Sequence, residues 1–338
     1  MTDPTKTAWP VHLLEGLPAL ACVDIGGTKV SVVIATPHGM KGRVIEPTQK
    51  QGGSAALAQQ ILRMLGTSST AAGMAPSDVA AVGVSSCGPF VKLDGSIALA
   101  APNICGGLAG AERGLPNDWV AAPIEAPLRE HFARVQVRGD GIAALEAERR
   151  WGALQDKGVA MDHCAYVTWS TGIGVGVCAD GHVLLGKNGN AGHAGHVFVS
   201  SGVDALCGCG LRGDVEALIA GNAIARRFAA HGFADAAALF DAARSGDALA
   251  AELVDQLCDT MGRMLFGLVA TLDLERISMG GSVFWHQQDL LLPRLRAFLD
   301  GKLPPLTRGC DLVPAGLGQA VGDWAAFAVA ISAARLSP

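Results

Sequence analysis

The chain has 338 residues, half of them hydrophobic and only 17% charged, with 44 glycines and one tyrosine. That length suits two domains of ordinary size, and that composition excludes a disordered or fibrous chain. The formal net charge of -5 excludes nucleic acid as the main partner, because a phosphate backbone selects basic surfaces.

Residues 1–19 are expected to be a poorly ordered leader. Within it "PALAC", Pro18 to Cys22, has the look of a lipoprotein cleavage site. Glu15 and Pro18 interrupt the apolar run before it, and Cys22 runs on into an apolar strand, so the signal reading is rejected. "LACVDIGGTKVSVVIATPHGM" then reads as strand, glycine turn, strand and hairpin turn. "SAALAQQILRMLGT" has helical spacing, and "VAAVGVSSCGPF" is a buried strand ending in a glycine turn. "APIEAPLREHFA" reads as a helix, "RVQVRGD" as a strand, and "GIAALEAERRWGAL" as a helix opening just after Asp140.

A second round begins at "CAYVTWSTGIGVGVCADGHVLLG", which repeats the opening pattern of strand, turn, strand and hairpin. Long helices follow, from "DVEALIAGNAIARRFAAHG" to "AELVDQLCDTMGRMLFGLVATL". "RISMGGSVF" is a strand running into a glycine turn, and "AVGDWAAFAVAISAARL" closes the chain as a helix. The alternation predicts an α/β protein in two halves built on one plan. No apolar run is long and clean enough to span a membrane. Nine cysteines without framework spacing read as reduced thiols and point to the cytoplasm.

Three glycine turns each follow a strand. "DIGGTK" supplies Gly26 and Gly27, whose backbone N–H groups can approach an anion, with Thr28 and Lys29 as further donors. Asp24 at the strand end suits a hydrated Mg²⁺, although the same stretch also reads as a plain hairpin turn. "STGIGVG" offers Thr171, Gly172 and Gly174, and "MGGS" offers Gly280 and Gly281. One such turn is a weak signal; three would suit a nucleotide lying between two lobes. Asp140 stands between Gly139 and Gly141 at a strand–helix junction, as a general base or as a helix N-cap. Asn103 either bonds a sugar hydroxyl or closes an Asx turn. His196, Cys207, Cys209 and Asp214 could complete a tetrahedral Zn²⁺ site, although C-x-C is less diagnostic than paired C-x-x-C.

Together these stretches resemble the ROK family of bacterial sugar kinases, over nearly the whole chain after residue 20. "DIGGTK" and "STGIGVG" are similar to its two phosphate motifs and "MGGSV" to its adenosine turn. "AGHAGH" and "CGCGLRGDVE" are similar to its A-G-E-x-G-H and C-x-C-G-x-x-G-C-x-E elements. The resemblance implies the two-lobed sugar kinase/actin/Hsp70 (ribonuclease H-like) fold. Its N-terminal lobe would be 20–137 completed by 321–338, its C-terminal lobe 138–320, with a cleft that closes on the sugar. It makes Asp140 the catalytic base. Asn103, His193, His196 and Glu216 become sugar contacts, and His196, Cys207 and Cys209 zinc ligands. MgATP as donor and a homodimer follow by the same resemblance.

Three departures stand out: Gly139 replaces an Asn, Asp214 the third zinc cysteine, and His193 a sugar-binding Glu. "AGHAGH", "NICGGL" and "MGGSV" most resemble the N-acetylmannosamine kinase branch, which implies transfer to the 6-hydroxyl of that sugar. Glucose or N-acetylglucosamine is the alternative acceptor. Two further readings are a sugar-sensing regulator and a non-catalytic sugar binder. Only about 20 residues precede the first phosphate motif, too few for the regulators' DNA-binding domain. Asp140 and both phosphate turns weigh against the non-catalytic binder.

Overall fold

The computed structural model describes residues 7–108, 114–200 and 202–336. The chain divides into two compact units, one taking in Met1–Ala147, Leu185–Asn190 and Ala320–Pro338, the other Glu148–Leu184 and Ala191–Gln319.

The first unit is built on five strands: β1 (Ala19–Ile25), β2 (Lys29–Thr36), β3 (Gly39–Pro47), β4 (Val79–Ser86) and β5 (Val135–Gly139). Their order in the sheet is β3-β2-β1-β4-β5. β1 pairs antiparallel with β2 and parallel with β4, and β4 pairs parallel with β5. β1 and β2 are near-continuous apolar runs because both faces of the sheet centre are covered. β3 alternates half-buried and exposed residues, as an edge strand does. The helix α1 (Ala56–Ala71) packs on β2 and β3. The C-terminal helix Val321–Ala334, buried along most of its length, packs on β1 and β4. Gly83 permits that approach, since a Cβ there would lie 2.1 Å from the Ala330 nitrogen.

Part of the expected leader is held in place. Trp9 donates from Nε1 to the Thr36 carbonyl at 2.9 Å and stacks on Phe327 with ring centroids 4.7 Å apart. Residues 11–14 form a 3₁₀ turn that buries Leu14. Residues 1–6 of the leader lie outside the described residues.

α2 (Asp140–Trp151) begins directly at the end of β5. Its lower part is anchored by Glu148, whose fully buried carboxylate accepts from the amides of Ala153, Gly316 and Leu317 and from the Ser278 hydroxyl. Burial raises the Glu148 pKa, and those donors act against the rise.

The second unit repeats the plan with β6 (Cys164–Trp169), β7 (Ile173–Ala179), β8 (His182–Val183), β9 (Arg276–Gly280) and β10 (Asp311–Pro314). The order is β8-β7-β6-β9-β10, again an antiparallel hairpin followed by two parallel strands. Asp180 (φ 51°) and Gly181 (φ 75°) make the predicted hairpin turn. α5 (Ala248–Leu272) and α6 (Ser282–Leu299) pack together over a core that includes Trp169, Phe240 and Phe284.

Two predicted helices are corrected. The single helix expected over 214–232 is split into α3 (Val215–Ile219) and α4 (Gly221–Phe228). Ala220 is extended between them (φ -60°, ψ 152°), and the Gly221 amide donates to the Ser170 carbonyl at 2.8 Å instead of continuing the helix. The helix expected over 122–133 is one short turn, Glu125–Arg129. Ala122–Pro123 instead pairs with Ser96–Leu99, which pairs in turn with Phe90–Leu93.

Candidate active site

In the first unit the DIGGTK stretch is a tight turn between β1 and β2. The Gly26 amide donates to the Lys29 carbonyl at 2.9 Å, and the Thr48 hydroxyl donates to the Gly26 carbonyl at 2.7 Å. Thr28 and Lys29 are exposed. Asn103 comes against this turn: a Cβ on Gly27 would lie 2.3 Å from Asn103 Nδ2. A side chain at 27 would therefore displace the amide, which gives Gly27 a reason beyond turn geometry.

Asp24 is half-buried at the end of β1, and Asp140 is exposed at the start of α2. The Asp140 carboxylate accepts from the Gly141 amide at 2.7 Å. Burial raises the Asp24 pKa to about 7, and the Asp140 charge adds to the rise against a hydrogen bond with Ser85. The Asp140 charge thus favours the protonated form of Asp24. Cys87 shares their surroundings. Burial pushes its thiol up, and the Asp140 and Asp24 charges push it further.

In the second unit Ser170 and Gly172 close the STGIGVG turn through a 3.0 Å bond from the Ser170 amide to the Gly172 carbonyl. The Glu216 carboxylate accepts from the Ile173 amide at 3.0 Å. A Cβ on Gly172 would approach Glu216 Oε2 to 2.9 Å. Glu216, one of the expected sugar contacts, thus braces the STGIGVG turn. Thr171 is exposed and Gly174 half-buried along the same hairpin.

β9 ends at Gly280, and Gly281 turns the chain at φ 88° into α6. Neither glycine tolerates a side chain: a Cβ on Gly280 would meet the Tyr166 hydroxyl at 2.5 Å, and one on Gly281 the Trp169 carbonyl at 2.5 Å. Ser282, the first residue of α6, shares a hydrogen bond with Ser170, their hydroxyl oxygens 2.9 Å apart. The third glycine turn is therefore tied to the second, at the N-terminus of an 18-residue helix.

The expected metal ligands converge in the loop of the same unit. Ligand atoms of His196, Cys207, Cys209 and Asp214 all lie within 4.8 Å of one another. His196 Nδ1 is 3.1 Å from Asp214 Oδ2, Cys207 Sγ is 3.5 Å from His196 Nδ1, and Cys209 Sγ is 3.3 Å from Asp214 Oδ2. A zinc tetrahedron with bonds of about 2.0–2.3 Å has edges of about 3.3–3.8 Å, so the four groups fit such an ion with small adjustment. Asp214 splits its work. Oδ2 faces the cluster, while Oδ1 caps α3 by accepting from the Ala217 amide at 2.7 Å. Burial acts to raise the Asp214 pKa, but hydrogen bonds from His196, Cys207 and Ala217 outweigh it and hold the carboxyl below its ordinary value.

His193 opens the short 3₁₀ turn Ala194–His196, and its ring lies roughly parallel to that of His196 with centroids 6.2 Å apart. Within the first unit the structure therefore assembles Asp24, Gly26, Gly27, Asn103 and Asp140. Within the second it assembles the other two turns, Glu216 and the four-ligand cluster with His193. Ser85, Thr48 and Cys87 were missed from sequence. Lone hydroxyls and a lone thiol carry no spacing signal, although "VSSCGPF" does place two of them at a strand end.

The ROK family profile matches residues 20–333. The N-acetylmannosamine kinase of Yersinia pestis (strain Pestoides F) is 33% identical over 262 residues, covering 77% of this chain and 82% of the relative. That of Yersinia pseudotuberculosis serotype O:1b (strain IP 31758) is 32% identical over the same shares. The solved ROK hexokinase from Thermus thermophilus is 32% identical with a TM-score of 0.69, covering 93% of this chain and 97% of its own. A ROK family glucokinase from Streptomyces griseus, solved with glucose and AMPPNP, has a TM-score of 0.69 at 24% identity over 93% and 99%. These neighbours carry the sugar kinase/actin/Hsp70 fold that the resemblance implied. From the profile match, the identity to these relatives and the turns that carry the shared motifs, the chain belongs to the ROK family.

Proposed function

We propose that this protein is an ATP-dependent kinase that transfers the γ-phosphoryl group to the 6-hydroxyl of N-acetylmannosamine. The observation that carries the chemistry is the meeting, in one unit, of Asp140, Asp24 and a glycine turn that holds Asn103. A base, a metal-facing acid, phosphate donors and a sugar-facing amide are what phosphoryl transfer to an alcohol requires. The choice of sugar is supported by the Yersinia N-acetylmannosamine kinases and by His193. An imidazole provides a donor for an acetamido carbonyl, which a carboxylate at that position lacks.

In this reading the amides of Gly26 and Gly27, with Thr28 and Lys29, hold one phosphate. Thr171, Gly172 and Gly174 hold another, and Gly280 and Gly281 face the adenosine. Asp24 holds the Mg²⁺ that arrives with ATP, through water. Asn103, His193, His196 and Glu216 orient the acceptor. Asp140 takes the proton of the 6-hydroxyl as its oxygen bonds the γ-phosphorus. The bond to the bridging oxygen breaks, and ADP leaves with the electron pair.

His196, Cys207, Cys209 and Asp214 would hold Zn²⁺, whose chemistry there is structural: it fixes the loop that presents His193. Glu216, bonded to the Ile173 amide, carries any shift of that loop to the second phosphate turn. The protein acts as a cytoplasmic homodimer in this account. No helix among the described residues is long and apolar enough to cross a membrane. ADP release measured over a panel of hexoses and N-acetylhexosamines, with the phosphorylated carbon identified by NMR, tests the proposal. Activity confined to glucose would favour the hexokinase reading that the Thermus thermophilus structure suggests.

A further inference from the structure

Lys50 has no part in the reading above, yet its backbone is fixed beside the first glycine turn, within the first unit. β3 ends at Pro47, opposite Lys29 in the register of β2 and β3, so the chain leaves that strand at the same end of the sheet as the turn. The Thr48 amide donates to the Thr28 carbonyl at 3.0 Å, and the Thr48 hydroxyl to the Gly26 carbonyl at 2.7 Å. The Gln49 amide then donates to Gln60 Oε1 at 2.9 Å, and the Lys50 amide to Gln49 Oε1 at 3.0 Å. Asn117 joins this segment to the Asn103 loop. Its Nδ2 donates to the Lys50 and Ile104 carbonyls, each at 2.9 Å, and its Oδ1 accepts from the Gly106 amide at 2.7 Å. Lys50 therefore stands between the turn assigned to a phosphate and the loop that sets Asn103 against Gly27.

The Lys50 side chain is half-buried, and among the described residues it forms no ion pair with a carboxylate. Burial lowers its pKa from the ordinary lysine value, and the group acting against that is the Cys87 thiol. Cys87 adjoins the turn: its amide donates to the Ile25 carbonyl at 2.9 Å, and the charges of Asp140 and Asp24 act on the same thiol. The ammonium is thus within electrostatic reach of a residue hydrogen-bonded to the end of β1. A half-buried ammonium with a thiol in place of a carboxylate beside it has lost hydration without gaining a counter-ion, and an arriving phosphate offsets that loss. Lys29, the lysine of the motif itself, is exposed, and its charge acts on Asp24.

We propose that Lys50 is a second cationic contact for the terminal phosphoryl group of ATP, donating to its oxygens from the side of the Asn103 loop. The inference rests on the kinase reading and on the assignment of the Gly26–Gly27 turn to a phosphate. The contact is a charge-assisted hydrogen bond, made to ATP and not to ADP, which lacks the group. No bond forms or breaks at Lys50; its charge meets the negative charge spread over the transferring oxygens.

The test compares two nucleotides on the full chain. Lys50→Met keeps an apolar stem and removes the charge. In titration calorimetry with Mg²⁺ it should raise Kd for AMPPNP at least about fivefold, the modest end of a charge-assisted hydrogen bond, and leave Kd for ADP within about twofold. With whichever sugar of the panel the wild type phosphorylates best, kcat should fall at least about tenfold while the sugar KM stays within about threefold. Lys50→Gln should behave in the same way, and it serves if the methionine variant does not fold. Equal changes for AMPPNP and ADP, no change for either, or an effect confined to the sugar KM would overturn the inference. A wild-type protein that binds no nucleotide removes the functional reading, and this inference falls with it. Normal wild-type binding and turnover with an unaffected Lys50→Met removes this inference alone.

Discussion

The two units share one strand order, yet their turns are built from opposite materials. In the first, Asp24 leads into the β1–β2 turn, and burial together with the Asp140 charge raises its proton affinity. In the second, the β6–β7 turn is lined by hydroxyls and backbone amides, and the Glu216 carboxylate beside it accepts from the Ile173 amide. The same hairpin-plus-parallel scaffold therefore offers acids in one unit and neutral donors in the other, which suits the proposed handling of a proton and a cation in the first and of an anion in the second. The scaffold sets the positions of the strand ends, and the residues placed there set the chemistry.

The largest expected effect comes from breaking the acidic side. Asp140→Asn should lower kcat by about two to four decades, as lost proton transfer does, while KM for the sugar stays within about threefold. Near-normal turnover would remove Asp140 as the base. Gly172→Ala should damage the neutral side by crowding Glu216 Oε2 at 2.9 Å. It should cost about tenfold or more in kcat/KM for ATP, the effect of one misplaced phosphate-holding turn.

Metal removal acts on the second unit alone. If the four-ligand cluster holds zinc, the purified protein should contain one equivalent by elemental analysis. Stripping it with a chelator should lower Tm by about 5–10 °C, the scale of losing a ligand present at a hundred times its dissociation constant. The carboxylate of Asp214 in place of a thiolate should make this ion easier to strip than one held by three cysteines. Metal-free protein with unchanged Tm would mean that packing and the Asp214–Ala217 cap hold the loop without it.

Much of this contrast was legible in the sequence. The three glycine turns, Asp140 at a strand–helix junction and the His/Cys/Asp cluster each combine a turn signal with chemistry-bearing residues, and each stands at the strand end or loop which that signal marks. The split of the 214–232 helix was not legible. Its cause is a long-range bond from Gly221 to Ser170, and local periodicity runs straight through it. The small sheet at Phe90–Leu93 and Ser96–Leu99 had a local signal that went unused, an Asp94-Gly95 turn with φ of 49° and 83°. The raised pKa of Asp24 depends on Ser85 and Asp140 from distant strands, which no spacing rule connects.

A smaller effect follows from that pKa. Asp24 has its folded-state value raised from 3.8 to about 7, so its contribution to stability is full below about pH 4 and is lost as pH rises through about 7. Asp24→Asn removes the group that must give up its proton. The variant should therefore melt higher than the wild type at pH 8, by a few degrees, with the difference closing towards pH 5. Its activity should nonetheless fall, because the Mg²⁺-facing oxygen is changed. A Tm difference independent of pH would show that Asp24 does not titrate in this window.

The most direct test of the account is the ratio of kcat/KM for N-acetylmannosamine to that for glucose, measured by coupled ADP release on one wild-type preparation. A site that hydrogen-bonds the acetamido group through His193 should favour N-acetylmannosamine by at least about tenfold, the modest end of such discrimination. Equal or better activity on glucose would contradict it and leave a hexokinase of the same family.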